Sequence, residues 1–174
     1  MFRKILIASI AATAAGAAAQ AQDAAGWNAG AGYERAEFPG GALDTVVLRG
    51  GYDFNRNFGI EGQANFGIGD SERTIAGINT STELNYSVGV FGVARLPVGD
   101  DSSFFGRLGY VQTELEVSAG AVSAKADDNA IAWGVGFDTF RGPNGLRVEY
   151  TRGDYDDGGN ADTFGVSYVR RFGG

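Results

Sequence analysis

Most of this sequence alternates between apolar residues and small or polar ones, so successive side chains are predicted to point to opposite faces of extended strands. The alternation divides the chain into about eight segments of about ten residues, a length typical of strands that cross a membrane at a tilt. We predict strands at residues 26–37, 43–54, 58–69, 82–96, 104–116, 129–140, 145–154 and 162–172. No linker or shift in composition divides them, so a single all-β domain is expected at residues 22–174.

The connections between these segments differ in length. Residues 55–57, 97–103 and 141–144 are short and rich in turn-forming residues, whereas residues 70–81, 117–128 and 154–161 are longer and polar. The connection at residues 39–42 is the short exception. Short turns at one end and longer loops at the other are typical of bacterial outer-membrane barrels, in which the turns face the periplasm and the loops face outward.

The two faces of the predicted strands differ in polarity. In the segment 144–152, Leu146, Val148 and Tyr150 alternate with charged Arg147 and Glu149. The apolar face continues through the other strands, including Leu84, whereas the opposite face is small, polar or charged. Four residues break this rule because they are apolar and fall on the charged face: Val47, Phe91, Val93 and Val111.

Alternation alone leaves the direction of the apolar face open. A soluble ligand-binding barrel turns its apolar face inward, and a membrane barrel turns it toward lipid. Aromatic residues near both ends of the predicted strands favour the membrane barrel, because they match the two girdles at the membrane interfaces. The predicted girdle residues are Trp27, Tyr33, Phe54, Phe58, Phe66, Tyr86, Phe104, Tyr110, Trp133, Phe140, Tyr150 and Phe172.

The N-terminus has the pattern of a secretory signal peptide. Arg3 and Lys4 precede a short Ala-rich apolar run, and Ala19-Gln20-Ala21 fits a signal-peptidase site. We therefore predict a cleaved signal at residues 1–21, with cleavage after Ala19 as the alternative. Its removal takes the formal charge from −7 to about −9.

A membrane barrel places the charged face in its lumen. Strand edges exposed to lipid would leave peptide groups without hydrogen bonds, so the strands must close into a ring. A ring of eight strands is just wide enough for side chains to fill it, and buried charges are tolerated there when they are paired. The predicted network of lumen charges comprises Arg49, Asp53, Glu61, Glu83, Arg95, Arg107, Asp138, Arg147 and Glu149.

Several segments resemble one known family. "GYDFNRNFGIEGQANF" (51–66) is similar to a hairpin of the small outer-membrane β-barrels of the OmpA/OmpX and opacity-protein type. "AWGVGFDTF" (132–140), "GLRVEYTR" (145–152) and "TFGVSYVRRF" (163–172) resemble the last three strands of that family. The resemblance implies an eight-stranded antiparallel up-and-down barrel in the outer membrane and assembly by the barrel-assembly machinery. The family's terminal aromatic corresponds to Phe172, here followed by Gly173 and Gly174.

The composition excludes several classes of function. The chain contains no His and no Cys, and no serine lies in a nucleophile-elbow motif, so we predict no enzyme activity, cofactor or metal site. The negative charge argues against nucleic-acid binding. A structural or surface-interaction protein with a lumen closed by polar side chains is expected, in contact with membrane lipid and lipopolysaccharide and as a monomer. A small pore is the alternative, and a soluble periplasmic barrel is a further one.

Overall fold

The computed structural model describes residues 25–39, 41–68, 70–75, 78–119, 122–156 and 158–172, except for the side chains of residues 70–83 and 117–126. These ranges contain no helix long and apolar enough to cross a membrane. The strands are β1 (Gly26–Phe38), β2 (Gly41–Asp53), β3 (Phe58–Gly67), β4 (Asp70–Ile75), β5 (Ile78–Val98), β6 (Ser102–Ala119), β7 (Val122–Arg141), β8 (Asn144–Tyr155) and β9 (Asn160–Phe172).

The strands form a closed antiparallel barrel. Strands that follow one another in the sequence pair with each other, except β3 and β4, and β1 also pairs with β9, with Trp27 opposite Phe172. β3 and β4 follow one another along β5 and share one place in the ring, which closes through the pairing of β3 with β5. The ring therefore has eight members, and the predicted eight-stranded all-β barrel is confirmed.

Two connections differ from the prediction. Residues 70–81 and 117–128 were expected to be loops, but most of their backbone continues as paired strands. β4 pairs with the start of β5 between Asp70↔Glu83 and Ile75↔Ile78, and the hairpin of β6 and β7 continues to Ala119↔Val122. Backbone pairing there does not require apolar alternation, because a hairpin that extends beyond the barrel has no face that must meet lipid.

The apolar face of the barrel points outward. Leu108, Ile131 and Val135 are 62%, 60% and 52% exposed, whereas Arg147 and Asp138 are each 1% exposed. In water this arrangement would expose a wide apolar surface to the solvent. It is the arrangement predicted for a membrane barrel and the reverse of that in a soluble ligand-binding barrel.

The apolar residues on the charged face form a small core inside the lumen. Phe91 and Val93 of β5, Phe105 of β6 and Ala132 of β7 pack together, and half-buried Val111 packs against them. This cluster explains three of the four exceptions to alternation, and the fourth, Val47, is fully buried on β2. The lumen therefore contains one apolar cluster, on β5 to β7, beside the buried charges of Arg95, Arg107 and Asp138 on the same strands.

A β-bulge changes the direction of one predicted lipid-facing residue. The pairing of β5 with β6 shifts between Leu84 and Tyr86, because Leu84 lies opposite Leu115 and Tyr86 opposite Glu114. One extra residue in a strand reverses the alternation beyond it. Leu84 is consequently buried and Tyr86 exposed, so the prediction that both lie on the outer face was wrong for Leu84.

The outward face allows a matched test of its contact with lipid. Val90 and Val98 both point outward from β5 and are 52% and 48% exposed. Val90 lies between the levels of Phe58 and Phe66 on β3, and Val98 ends the strand. We expect Val90→Arg to lower the free energy of unfolding in phospholipid vesicles by about 2–4 kcal/mol, and Val98→Arg by at most about 1 kcal/mol.

Urea titration of the vesicle-bound protein measures both values. Equal, small losses for the two variants would contradict the position of Val90 in the hydrocarbon.

Candidate functional site in the barrel lumen

Arg147 of β8 connects two sides of the lumen. Its Nε and Nη2 atoms donate to the two carboxylate oxygens of Asp138 on neighbouring β7, at 2.7 and 3.1 Å. Its Nη1 atom donates to Glu61 Oε2 on β3, at 2.7 Å. β3 and β8 lie opposite each other in the ring, so this arginine links strands that share no backbone pairing.

Arg49 of β2 occupies the centre of a second group. Its Nη2 atom contacts the carboxylates of both Glu34 on β1 and Glu149 on β8. Its Nη1 atom lies 2.5 Å from Ser167 Oγ on β9, and its Nε atom lies 3.6 Å from Glu61 Oε1. Four strands on the polar side of the lumen therefore meet at one guanidinium.

Arg107 of β6 extends from the apolar side of the lumen into the same network. Its Nη1 atom lies 3.2 Å from Glu61 Oε1 and donates to Gln63 Oε1 at 2.8 Å, and its Nη2 atom donates to Thr151 Oγ1 at 2.6 Å. Its guanidinium also stacks on Phe91, 4.4 Å from the ring centroid. A cation over an aromatic face is favourable, so the apolar cluster helps to hold this arginine.

The end of the lumen near the short turns contains a further group, which is joined to the contacts of Arg147 through Asp138. Arg95 of β5 donates to Asp53 of β2, and its Nε atom lies 3.8 Å from Asp138 Oδ2. Arg171 of β9 stacks on the ring of Phe140 at 3.4 Å. These contacts continue the charged network to the turn end of the barrel.

Eight of the nine residues predicted for the lumen network come together in these contacts. The ninth, Glu83, lies in β5, but its side chain is outside the described residues. The main participant that the predicted network omitted is Glu34, which is 1% exposed and accepts from Arg49 and Asn65. Its place on the inward face was visible in the alternation, but alternation does not identify its partners, which are Arg49 on β2 and Gln63 and Asn65 on β3.

The network must offset a large desolvation cost. Apart from exposed Arg171 and half-buried Asp53, its arginines and carboxylates are almost fully removed from solvent, and such charges are stable only with close, hydrogen-bonded partners. Among the described charged groups, Arg49 Nε, Arg95 Nε, Arg107 Nε and Glu149 Oε2 have no hydrogen bond. Arg49 Nε, Arg95 Nε and Glu149 Oε2 each lie 3.5–3.8 Å from an opposite charge, and the Nη atoms of Arg107 lie near Glu61 and Glu149. The charges are therefore compensated as a group, and removing one leaves several others unpaired.

Two glycines make room for this network and its apolar neighbours. A Cβ atom at Gly134 would lie 2.7 Å from Thr151 Oγ1 and 3.2 Å from Arg107 Nε, and one at Gly136 would clash with the ring of Phe105. Both glycines lie in the middle of strand β7. Their role in the lumen is to relieve crowding, and neither begins a phosphate-binding loop.

The predicted girdle residues point outward in the structure, with one exception. Trp27 packs edge to face against Tyr52 at the turn end, and Trp133 packs against Tyr150 at the loop end. Phe140 is 7% exposed and lies in the lumen under Arg171. It cannot belong to the girdle, because it shares the inward direction of Asp138 two residues before it.

The remaining girdle residues are exposed or half-buried: Tyr33, Phe54, Phe58, Phe66, Tyr86, Phe104, Tyr110 and Phe172.

The described charges of the lumen are arranged as ion pairs. Within the described ranges, no three His, Cys, Asp or Glu side chains are placed to hold a metal ion together. The carboxylates of the lumen face arginines. Chemically, the arrangement can cross-link strands and fill space.

Comparison with known proteins agrees with this geometry. The family model described as outer membrane protein beta-barrel domain matches residues 6–172. No match is found among curated protein sequences. A similar solved structure is that of Ail, the attachment invasion locus protein of Yersinia pestis, in complex with the heparin analogue sucrose octasulfate. It superimposes with a TM-score of 0.64 at 19% identity, and the match covers 86% of this chain and 99% of that chain.

Two further solved structures are similar. Neisserial surface protein A gives a TM-score of 0.57 at 12% identity and covers 84% of this chain and 96% of its own. The N-terminal β-barrel domain of Pseudomonas aeruginosa OprF gives 0.56 at 9% identity and covers 83% and 98%. At these identities the likeness concerns the fold.

Arg147 provides a direct test of charge pairing in the lumen. We expect Arg147→Leu to lower the free energy of unfolding in vesicles by about 3–5 kcal/mol, because Asp138 and Glu61 lose a buried partner. Arg152 on the same strand serves as the control. It is 34% exposed and contacts Asp154 and Asp162 at the outer surface, so Arg152→Leu is expected to cost at most about 1 kcal/mol. An Arg147→Leu protein as stable as the wild type would show that this arginine is not buried among charges.

Proposed function

The chain belongs to the family of outer membrane protein β-barrel domains, and on that premise we propose a structural and surface-interaction protein whose lumen is closed by charged side chains. Its location is the bacterial outer membrane. The turns at residues 54–57, 99–101 and 142–143 then face the periplasm, and the longer hairpins face outward. Residues 1–21 act as the cleaved export signal, and the barrel-assembly machinery inserts the mature chain.

One observation carries the proposal of a closed lumen. Glu61 and Arg147 meet from opposite sides of the ring, and Arg49 and Arg107 lie beside them, both in contact with Glu61 and Glu149. Three guanidinium groups and their carboxylates thus share one level of a ring that is only wide enough for side chains. A hydrated ion passing this level would have to break several charge-assisted hydrogen bonds.

A small pore is the alternative function. It is favoured by the open space above the network, where a cavity of about 350 Å³ occupies the loop end of the lumen. That space ends at the side chains of Glu34, Gln63 and Arg107, which line it. For this reason we prefer the closed barrel. A soluble periplasmic barrel is not proposed, because the apolar face points outward.

Surface interactions of this chain are expected to differ from those of Ail. The solved complex of Ail contains a heparin analogue, which is a polyanion. Here the loop-end segments contain more acidic than basic residues, as in Asp154, Asp156, Asp157 and Asp162 against Arg152. Acidic loops disfavour a polyanion as their partner. The apolar outer face of the barrel wall supports membrane lipid and the acyl chains of lipopolysaccharide as its partners.

Two paired groups on the outer surface suit that role. Tyr33 and Arg35 both donate to Asp44 Oδ1, and Tyr150 and Arg152 both donate to Asp162 Oδ1. Both groups lie at the loop end of the barrel, at the level where the apolar band ends. A tyrosine ring with a polar tip is favoured at such a boundary.

Conductance in planar lipid bilayers distinguishes the closed barrel from the pore. The purified wild-type protein is expected to give no stable, reproducible openings. The double variant Glu34→Ala/Arg49→Ala removes one negative and one positive side chain from the network and is expected to conduct. Its conductance is the positive control, because it shows that the assay detects an open lumen. Reproducible openings of the wild type at the same size as those of the variant would contradict the proposal and establish the pore.

A further inference from the structure

The loop end of the lumen contains a cavity to which the proposed structural role assigns no function. It has a volume of about 350 Å³ and lies between the charged network and the connections at Pro39 and at Gly158–Gly159. Small-molecule sites in proteins are typically clefts of about 300–1,000 Å³ lined mainly by apolar side chains with a few polar groups. The size and position of this loop-end cavity match that description.

The wall of the loop-end cavity is predominantly apolar. Phe91 and Val111 extend the apolar cluster of the lumen into it, and Leu43, Leu84 and Ala130 add to this apolar area, beside polar residues such as Thr45 and Thr163. Leu84 is directed into this space by the β-bulge between Leu84 and Tyr86. Water held against such a wall has few hydrogen-bonding partners, so its displacement by an apolar group is favourable.

The floor of the cavity is polar but offers no free charge. Glu34 is occupied by Arg49, Gln63 and Asn65. Arg107 is matched by Glu61 at 3.2 Å and Glu149 at 3.5 Å. A charged ligand would therefore find no unpaired counter-ion among the described residues at the bottom of the cavity.

The hydroxyl groups of Ser87 and Thr151 in the wall are available as hydrogen-bond donors. Ser87 Oγ accepts from Thr113 Oγ1 at 3.1 Å, and Thr151 Oγ1 accepts from Arg107 Nη2 at 2.6 Å. Each hydroxyl has one proton of its own to donate. Both residues line the cavity, so its polar end suits an oxygen acceptor such as a carbonyl or ether.

The mouth of the cavity is acidic. Asp128 lines it, Tyr155 lies beside it between exposed Asp154 and Asp156, and Asp127 is exposed next to Asp128. Arg107 at the floor is the one cation among the described lining residues. Like charges repel at a binding site, so an anionic molecule is disfavoured at the entrance.

From these observations we infer that the loop-end cavity is a binding site for a small uncharged amphiphile, with an apolar body against β5–β7 and an oxygen-bearing head toward Ser87 and Thr151. The site is additional to the structural role. It needs no passage through the lumen, because the ligand enters and leaves at the loop end.

Methyl NMR of the full chain in lipid nanodiscs tests this site with methyl octanoate as the probe. The methyl groups of Leu84, Val111 and Ala132 report on the cavity, and those of Val90, Leu108 and Val135 report on lipid. The cavity methyls are expected to shift and saturate with rising probe concentration. The lipid-facing methyls are expected to shift linearly, as the probe partitions into the bilayer.

Two comparison probes test the chemical class. Octanoate at neutral pH carries a negative charge and is expected to bind about tenfold more weakly or worse. Butylbenzene is of similar size and has no oxygen, and it is expected to bind about threefold more weakly. Equal binding of octanoate would overturn the uncharged class, and equal binding of butylbenzene would overturn the role of the hydroxyl groups.

Variants that fill the space complete the test. Ala132→Phe adds a ring to the buried wall, Val111→Trp adds bulk at a half-buried position, and Ala94→Phe adds the same ring on the exposed, lipid-facing side of β5. The first two are expected to abolish the saturable shift, and the third to leave it unchanged. Folding of each variant is checked by the mobility of unboiled samples in SDS electrophoresis. One filling variant that folds is sufficient for the test. Absence of saturation in the wild type, or its persistence in a folded filling variant, would overturn the proposal.

Discussion

Lipid hydrocarbon offers no hydrogen-bond partner to a peptide group, and this constraint determines the rest of the structure. Every N–H and C=O group within the membrane must be paired inside the protein, so a sheet in lipid has to close. The pairing of β1 with β9 and of β3 with β5 achieves this closure. Closure with only eight strands gives a narrow interior, and the side chains that alternate with the lipid-facing ones must fill it.

The filled interior has two unlike halves. β5, β6 and β7 contribute an apolar cluster, and the remaining strands contribute most of the carboxylates and amides. Arg107 and Arg147 connect the halves, because each stacks on an aromatic ring of the apolar side and extends to a carboxylate of the polar side. The network ends below the loops, which leaves the cavity above it with apolar walls and a neutral floor.

The sequence predicts the strands, their closure and the outward apolar face, because one-dimensional alternation records which side of a strand meets lipid. It does not predict the extended hairpins, since polar residues beyond the membrane pair without alternation. Phe140 was misplaced because its residue type suggested a girdle while its position between inward residues determined its direction. The contacts of Glu34 depend on strands far apart in the sequence, and the loop-end cavity depends on summed side-chain volumes, so neither could be read from alternation.

Buried charges connect opposite strands across the lumen, and a double-mutant cycle on Glu61 and Arg147 tests this contact most directly. The free energy of unfolding in vesicles is measured for Glu61→Gln, Arg147→Leu and the double variant. The coupling free energy is calculated from their three changes in stability. Residues in one charge network typically couple by about 0.5–3 kcal/mol. We predict a coupling free energy in that range, with the double variant less destabilised than the sum of the two single variants. Additive losses would contradict the direct contact across the lumen.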